Sequence, residues 1–194
     1  MIRYSSKQGF TVVELLIVLG VFSMLTGVVL ARYRTFDTNA RFVNASEDVI
    51  LALRQAQVYG VGAKGHTVTC GGATAFDCAY GVYFSTAAAN KNGITFFVDA
   101  NNNKIYDAGE ELPSEKISWA SNIAVTGLTC DGVACTTGVL SVTFRRPSPD
   151  AFVNDTFVSP VTSPYTKAVV TLTDSNTLKT SNVTVTRFGQ ISFQ

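Results

Sequence analysis

The chain has 194 residues, of which 46% are hydrophobic and 15% are charged, and its formal net charge is +1 at pH 7. This length suffices for one domain with a sizeable core. The small net charge excludes a global electrostatic field that would draw nucleic acid or an acidic membrane surface to the protein.

The first predicted element is an apolar helix over residues 10–31, in which Glu14 is the single charged residue. At ~1.5 Å per residue the helix is about 33 Å long, which is enough to cross the hydrocarbon core of a bilayer. The run is longer than the core of a signal peptide, and no small-residue cleavage site follows it. An ordinary membrane anchor is the simplest interpretation, but an unpartnered carboxylate in such a helix costs on the order of 3 kcal/mol.

A short polar leader, residues 1–9, precedes this helix. It ends in Gly9, which is followed by Phe10 and, four residues later, by Glu14. This arrangement resembles the class III signal of type IV pilins and type II secretion pseudopilins. The resemblance implies that prepilin peptidase, a membrane enzyme, cuts between Gly9 and Phe10 and methylates the new amino group of Phe10. It also implies that Glu14 pairs with the N-terminal amine of a neighbouring subunit during assembly.

The same resemblance implies the partners and the location of the protein. The partners are other pilin or pseudopilin subunits, prepilin peptidase and an inner-membrane assembly platform, with membrane lipid around the helix before assembly. The protein would be a single-pass protein of the cytoplasmic membrane with its C-terminal domain outside, and would enter a pilus or pseudopilus on assembly. Arg3 and Lys7 agree with a cytoplasmic leader, whereas Arg32 and Arg34 on the other side weaken that signal.

No proline occurs before Pro113, so the helix is predicted to continue to about Tyr59, with Gly60 and Gly62 ending it. The continuation carries apolar residues at spacings of three and four, which form one face of an amphipathic helix. These residues are Phe42, Ala45, Val49, Leu53 and Ala56. The predicted segments are therefore a leader over 1–9, a transmembrane and assembly helix over 10–31, its amphipathic continuation over 32–62 and a β-rich head over 63–194.

From residue 66 onward, Val or Phe alternates with Thr or Ser, which predicts short strands with one buried and one wet face. The predicted strands cover residues 66–70, 80–84, 93–98, 116–119, 123–125, 139–144, 168–172, 182–188 and 190–193. Four prolines within residues 147–164 predict a long exposed loop. The expected fold class is α+β, with the long N-terminal helix packed on an antiparallel, β-rich, pilin-like head.

Four cysteines occur as two close pairs, Cys70 with Cys78 and Cys130 with Cys135. An anchored domain outside the cytoplasm meets oxidising conditions, so an even count favours two disulfides with pairing inside each cluster. Each short loop would then contribute about 2–3 kcal/mol. A zinc site and free thiols are the alternatives, but the spacings do not match the C-x-x-C pattern of zinc knuckles.

An acidic loop, residues 99–110, is the most site-like feature of the predicted head. Its oxygen-bearing residues have the spacing of an EF-hand calcium loop, including one backbone carbonyl at the seventh position. The predicted ligands are Asp99, Asn101, Asn103, Ile105, Asp107 and Glu110. Lys104 stands where the EF-hand has glycine, and the flanks are predicted strands, so a turn rich in Asp and Asn is the alternative.

Three further features resemble the GspH/FimT-like minor subunits of this family: residues 53–57 followed by 68–70, residues 97–103 with 107–110, and residues 185–191. Some FimT-like minor pilins bind DNA through arginines around a glycine near the C-terminus. Here only Arg187 precedes Gly189, while Arg145 and Arg146 lie earlier in the chain. DNA binding by these three arginines is therefore an alternative function, because dispersed cations can also be ordinary solvated residues.

Catalysis is not predicted. The single histidine, His66, stands at a predicted strand start, and no nucleophile, zinc-protease or phosphate-binding motif occurs. No cofactor is expected other than calcium in the acidic loop. The predicted function is structural, as a minor pilin or pseudopilin. The alternatives are a DNA-binding uptake subunit and a membrane-tethered, calcium-dependent adhesive module.

Overall fold

The computed structural model describes residues 9–62, 64, 65, 70, 76–155 and 165–193. A single long helix, α1, covers Val12–Val61, and strands follow it along the chain. The chain divides into two compact units, one extending to Arg41 and the other covering Phe42–Gln194. The first predicted strand at 66–70 lies outside the described residues except for Cys70, and so does His66.

The first unit is the N-terminal part of helix α1. One 18-residue window of this helix has a mean hydropathy of 2.4, and none of that window is buried. By length and composition the helix can cross a membrane. The hydroxyls of Ser23 and Thr26 donate to the carbonyls of Leu19 and Phe22 at 2.8 Å, so the helix satisfies these polar groups internally. This unit is therefore suited to an apolar environment.

The second unit contains two five-stranded sheets, and every strand pair in them is antiparallel. Sheet 1 has the order β3-β2-β1-β6-β7, and sheet 2 has the order β10-β9-β8-β4-β5. The strands are β1 Ala79–Ser85, β2 Gly93–Asp99, β3 Ile117–Ser118, β4 Ile123–Cys130, β5 Val133–Ala134, β6 Val139–Arg145, β7 Ser148–Asn154, β8 Lys167–Asp174, β9 Lys179–Thr186 and β10 Ile191–Phe193. A 3₁₀ turn covers Pro113–Glu115. The predicted α+β class, with a long N-terminal helix before an antiparallel head, is confirmed.

One core joins the C-terminal half of helix α1 to both sheets. The helix contributes a buried face of mostly small residues: Phe42, Ala45, Val49, Ala52, Leu53 and Ala56. Sheet 1 contributes larger side chains such as Phe84 and Phe144, and sheet 2 contributes Val170 and Leu172. Small residues on the helix let its backbone approach the sheets while the strands fill the space between them.

Helix α1 touches sheet 1 most closely at Gly60. A Cβ atom at this position would lie 2.3 Å from the carbonyl oxygen of Phe144, a distance that only glycine tolerates. The backbone N–H of Arg146 donates to the Gly60 carbonyl at 3.2 Å, so the last turn of the helix is bonded directly to the sheet. Helix α1 ends at Val61, so of the two glycines predicted to end it, Gly60 lies inside the helix and Gly62 follows its last residue.

The predicted loop over 147–164 is wrong in its first half, where strand β7 forms. Pro149 fits into this strand because β7 lies at the edge of sheet 1 and its pairing with β6 shifts between Phe144 and Arg145. An edge or bulge position does not need the N–H that proline lacks. Residues 156–164 lie outside the described residues. The short strand β5 was not predicted.

We expect Gly60→Ala to destabilise the head by about 1–3 kcal/mol, because the added methyl group overlaps the Phe144 carbonyl and forces the helix off the sheet. Denaturant unfolding of the full chain in detergent micelles measures this loss. Gly27→Ala is the matched control, since a methyl group there meets no described atom within 4 Å. Equal stability of the two variants would contradict the close contact.

Candidate functional site

The start of helix α1 brings the residues of the predicted processing signal together. The helix begins at Val12, and the Thr11 Oγ1 accepts a hydrogen bond from the Glu14 backbone N–H at 3.2 Å. Thr11 is therefore the N-cap of the helix. Glu14 lies in the first turn, where the helix dipole favours a carboxylate. Our sequence reasoning missed Thr11, although the T-x-x-E spacing of a capping box could have revealed it.

The Glu14 side chain is exposed, and among the described residues no cation pairs with it. Its surroundings on the helix are apolar and equally uncovered, and Phe10 is 85% exposed. A carboxylate in an apolar helix is strongly stabilised by a positive partner from another molecule, because few polar groups are nearby to solvate it. The geometry thus leaves this carboxylate available to another molecule.

The acidic loop does not project from the head but lies on the face of sheet 1 that points away from helix α1. The Tyr106 N–H donates to the Ser141 Oγ at 3.1 Å, and the Asn154 side-chain amide donates to the Lys104 carbonyl at 3.2 Å. The Arg145 guanidinium donates to the Asn102 side-chain oxygen at 2.9 Å. These three bonds tie the acidic loop to strands β6 and β7.

Inside the acidic loop a buried ion pair forms between Asp99 and Lys104. Asp99 is fully buried, and its carboxylate accepts from the N–H groups of Asn103 and Lys104 at 2.9 and 3.0 Å. The Lys104 ammonium donates to the same carboxylate at 3.1 Å and also contacts the Asn102 side chain. Lys104 has a φ of 66°, the left-handed conformation that glycine adopts in the EF-hand. Burial lowers the pKa of Lys104 even though Asp99 opposes that shift.

The side chains of the predicted calcium ligands lie close together, but their oxygens accept hydrogen bonds from N–H groups of the same loop. Asn101 and Asn103 donate through their amide nitrogens to Asp107 at 2.8 and 2.6 Å. Glu110 accepts from the Asp107 N–H at 3.1 Å, and burial raises the pKa of Glu110. In this arrangement the residues do not fit calcium, because the two amides and the Lys104 ammonium would first have to turn away. Calcium binding stays a prediction.

The three arginines predicted as DNA contacts differ in the partners of their side chains. Arg145 is bonded to Asn102, and Arg146 donates to the Asp77 carboxylate at 2.9 Å in an ion pair. Arg187 follows strand β9 of sheet 2, and its guanidinium lies 5.4 Å from the Phe188 ring centre. Two of the three cations are therefore already engaged within the head. DNA binding stays a prediction.

The cysteines form two disulfides, Cys70–Cys78 and Cys130–Cys135. The Asp155 carboxylate lies within 4.8 Å of both sulfurs of the second disulfide. Because those sulfurs are bonded to each other, they are not available as zinc ligands in this structure. The alternative of a zinc site therefore has no support among the described residues.

A polar cluster around Glu115 was not predicted from the sequence. Its carboxylate accepts from Gln55 at 2.7 Å, Tyr59 at 3.2 Å and Lys64 at 2.8 Å, and so links helix α1 to the 3₁₀ turn. Burial by itself lowers the pKa of Lys64, but the bonds to Glu115 and Tyr59 outweigh it and raise that pKa above 10.5. Glu115 lies 51 to 60 positions along the chain from these three partners, so no local motif could have revealed the cluster.

We expect Lys104→Met to destabilise the head by about 3–5 kcal/mol, because it leaves the buried Asp99 carboxylate without its cation. Lys179→Met, at an exposed position, is the matched control. Adding Asp99→Asn to Lys104→Met should restore most of the stability, and its failure to do so would contradict the ion-pair explanation.

Comparison with known proteins gives one result, and it concerns the N-terminal segment. Residues 4–30 match the family described as the prokaryotic N-terminal methylation motif. The chain has no significant match among curated proteins or among solved structures. The matched segment contains Gly9, Phe10 and Glu14, and it coincides with the exposed apolar part of helix α1. The motif and the helix together indicate a membrane-anchored protein that is similar, over this segment, to the precursors of type IV pilin-like proteins.

Proposed function

We propose that this protein is a structural minor subunit of a type IV pilus or a type II secretion pseudopilus. The observation that carries the proposal is the position of the methylation motif. The match ends at residue 30, one residue before the end of the apolar segment 10–31, and no residue of that segment is buried. A motif for N-terminal processing and a helix that needs an apolar partner occur in the same segment. No catalytic role is proposed.

The first step in this function is processing by prepilin peptidase between Gly9 and Phe10. Gly9 is exposed, and a Cβ there would meet no described atom within 4 Å, so the described residues leave access to the bond. The bond precedes the helix, which starts at Val12, and a peptidase can reach extended backbone more easily than helical backbone. Cleavage creates a new amino group on Phe10, and methylation of that group follows in this proposal.

The second step is the transfer of the helix from lipid to a bundle of subunit helices. Large apolar side chains are exposed along the whole segment from Phe10 to Phe36, so each needs lipid or another protein around it. Burial is worth about 25 cal/mol per Å² of apolar surface, and it favours neighbouring helices once the subunit leaves the membrane. The partners in this proposal are other pilin or pseudopilin subunits and the inner-membrane assembly platform.

The third step uses Glu14 to set the position of the subunit. The carboxylate has no partner among the described residues, and the positive N-terminal amine of a neighbouring subunit's first residue offers one. Removing one member of a desolvated charge pair is costly because the other charge stays unpaired. Glu14 therefore favours one axial register of the helix over the others.

The GspH/FimT-like subtype is part of the proposal. Its support is the acidic loop, in which Asp99 through Glu110 form one folded unit on sheet 1, and the closing pair of strands β9 and β10. In this proposal the head is the part of the subunit that the assembled helices display. The head described here would supply that displayed surface.

Processing and assembly are tested separately in cells that make the filament. We expect Gly9→Val to keep the leader on the protein, whereas the wild type should begin with N-methylated Phe10 by mass spectrometry of the purified protein. A Gly9→Val protein that still begins at Phe10 and enters filaments would overturn the proposal.

We expect Glu14→Ala to be cleaved and methylated normally but to be lost from isolated filaments at least tenfold, measured by immunoblot against the membrane fraction. Glu47→Ala is the matched control, because Glu47 is an exposed acid on the same helix outside the methylation motif. Equal incorporation of the two variants would show that Glu14 has no role in assembly.

A further inference from the structure

A groove lies beside the acidic loop, along strand β2 of sheet 1. It consists of two adjoining concavities of about 270 and 190 Å³. Both are lined by Asn90, Thr95 and Lys116, so they form one continuous depression. The processing signal and the arginines lie elsewhere in the chain, and none of the functions considered so far uses this groove.

The larger concavity contains a pair of tyrosine rings. Tyr83 of strand β1 and Tyr106 of the acidic loop have ring centres 4.6 Å apart and an interplanar angle of 40°. Tyr106 also packs edge-on against the buried Phe97 ring at 5.6 Å, which holds it in place. Both tyrosines are partly exposed. The groove therefore presents a fixed aromatic surface to solvent.

Polar side chains surround this aromatic pair. Within the described part of the chain, the side chains of Asn90, Thr95 and Lys116 make no hydrogen bond. Glu111 accepts from the Tyr106 hydroxyl at 3.3 Å and attracts the Lys116 ammonium. The rim thus offers both donors and acceptors, and its one positive and one negative charge compensate each other.

We propose that this groove binds a neutral saccharide of two linked pyranose rings. A pyranose ring stacks its C–H face on an aromatic ring, and its hydroxyls both donate and accept hydrogen bonds, which matches a tyrosine pair with a mixed polar rim. An ionic ligand is not favoured, because Lys116 and Glu111 offset each other. A purely apolar ligand would leave the Asn90 amide and the Thr95 hydroxyl without partners.

Two sources can supply such a ligand, namely a cell-wall glycan with acetamido sugars and a surface polysaccharide of plain hexoses. The probes are therefore N,N′-diacetylchitobiose and cellobiose, which share the same linkage and equatorial geometry. The full chain is held in micelles of a zwitterionic detergent without a sugar head group, and binding is measured by saturation-transfer NMR. We expect a Kd on the order of 1 mM for at least one probe, as for a shallow site with few contacts.

Tyr83→Ala should weaken binding about fivefold or more, because it removes half of the aromatic surface. Asn90→Ala should weaken it about threefold, and this exposed loop position keeps the test valid if the Tyr83 variant fails to fold. Phe188→Ala is the matched control, since Phe188 is 70% exposed and does not line the groove. Thermal unfolding verifies that each variant is folded.

Binding of diacetylchitobiose alone supports the proposal with an acetamido glycan as ligand, and binding of cellobiose supports it with a plain polysaccharide. No saturation transfer to either probe at about 10 mM would overturn the proposal. So would binding that neither Tyr83→Ala nor Asn90→Ala weakens. The proposal does not rest on assembly, so a negative result here leaves the Gly9 and Glu14 experiments unaffected.

Discussion

The main physical constraint on this structure is the burial of the apolar side chains of one long helix. Helix α1 has 50 residues, and its C-terminal part from Phe42 onward is buried against two sheets through a face of small side chains. At Gly60 that approach becomes a direct backbone contact with strand β6. In the first unit, by contrast, no residue of the apolar 18-residue window of the helix is buried. Since exposed apolar surface is unfavourable in water, the N-terminal part of the helix requires an apolar environment, whereas the C-terminal part is buried within the second unit.

The acidic loop shows how a ligand-like pattern can be stabilised without a ligand. Asp99 begins a loop with EF-hand spacing, and Lys104 has the left-handed backbone that the sixth position of such a loop requires. The Lys104 ammonium also pairs with the Asp99 carboxylate, so the positive charge beside this carboxylate comes from a side chain of the loop itself. Because the lysine is desolvated there, the pair costs free energy to bury, yet breaking it would cost more. The folded loop in turn positions Tyr106 beside Tyr83 and so completes the proposed saccharide groove.

Some elements of this fold have local causes in the sequence, and others have long-range causes. The long helix and eight of the strands follow from patterns that act over a few residues, namely apolar periodicity and alternation. Strand β7 was missed because prolines predict a loop, whereas an edge position with a bulge accepts Pro149. The Glu115 cluster and the groove were missed because they join residues from distant parts of the chain. The calcium pattern was visible in the sequence, but the Lys104 contact that opposes it was not.

The sequence by itself determined the features that depend on residue order alone. These are the methylation motif with Gly9, Phe10 and Glu14 in register, the length of apolar helix and the α+β class. Only the tertiary structure decided which polar groups are already satisfied. Arg145 is hydrogen-bonded to Asn102 within the head, whereas the Glu14 carboxylate is exposed. Both are charged residues that the sequence indicates as candidate sites. The physical reason is that a side chain's availability depends on the groups that folding brings within hydrogen-bond distance, and those groups come from any part of the chain.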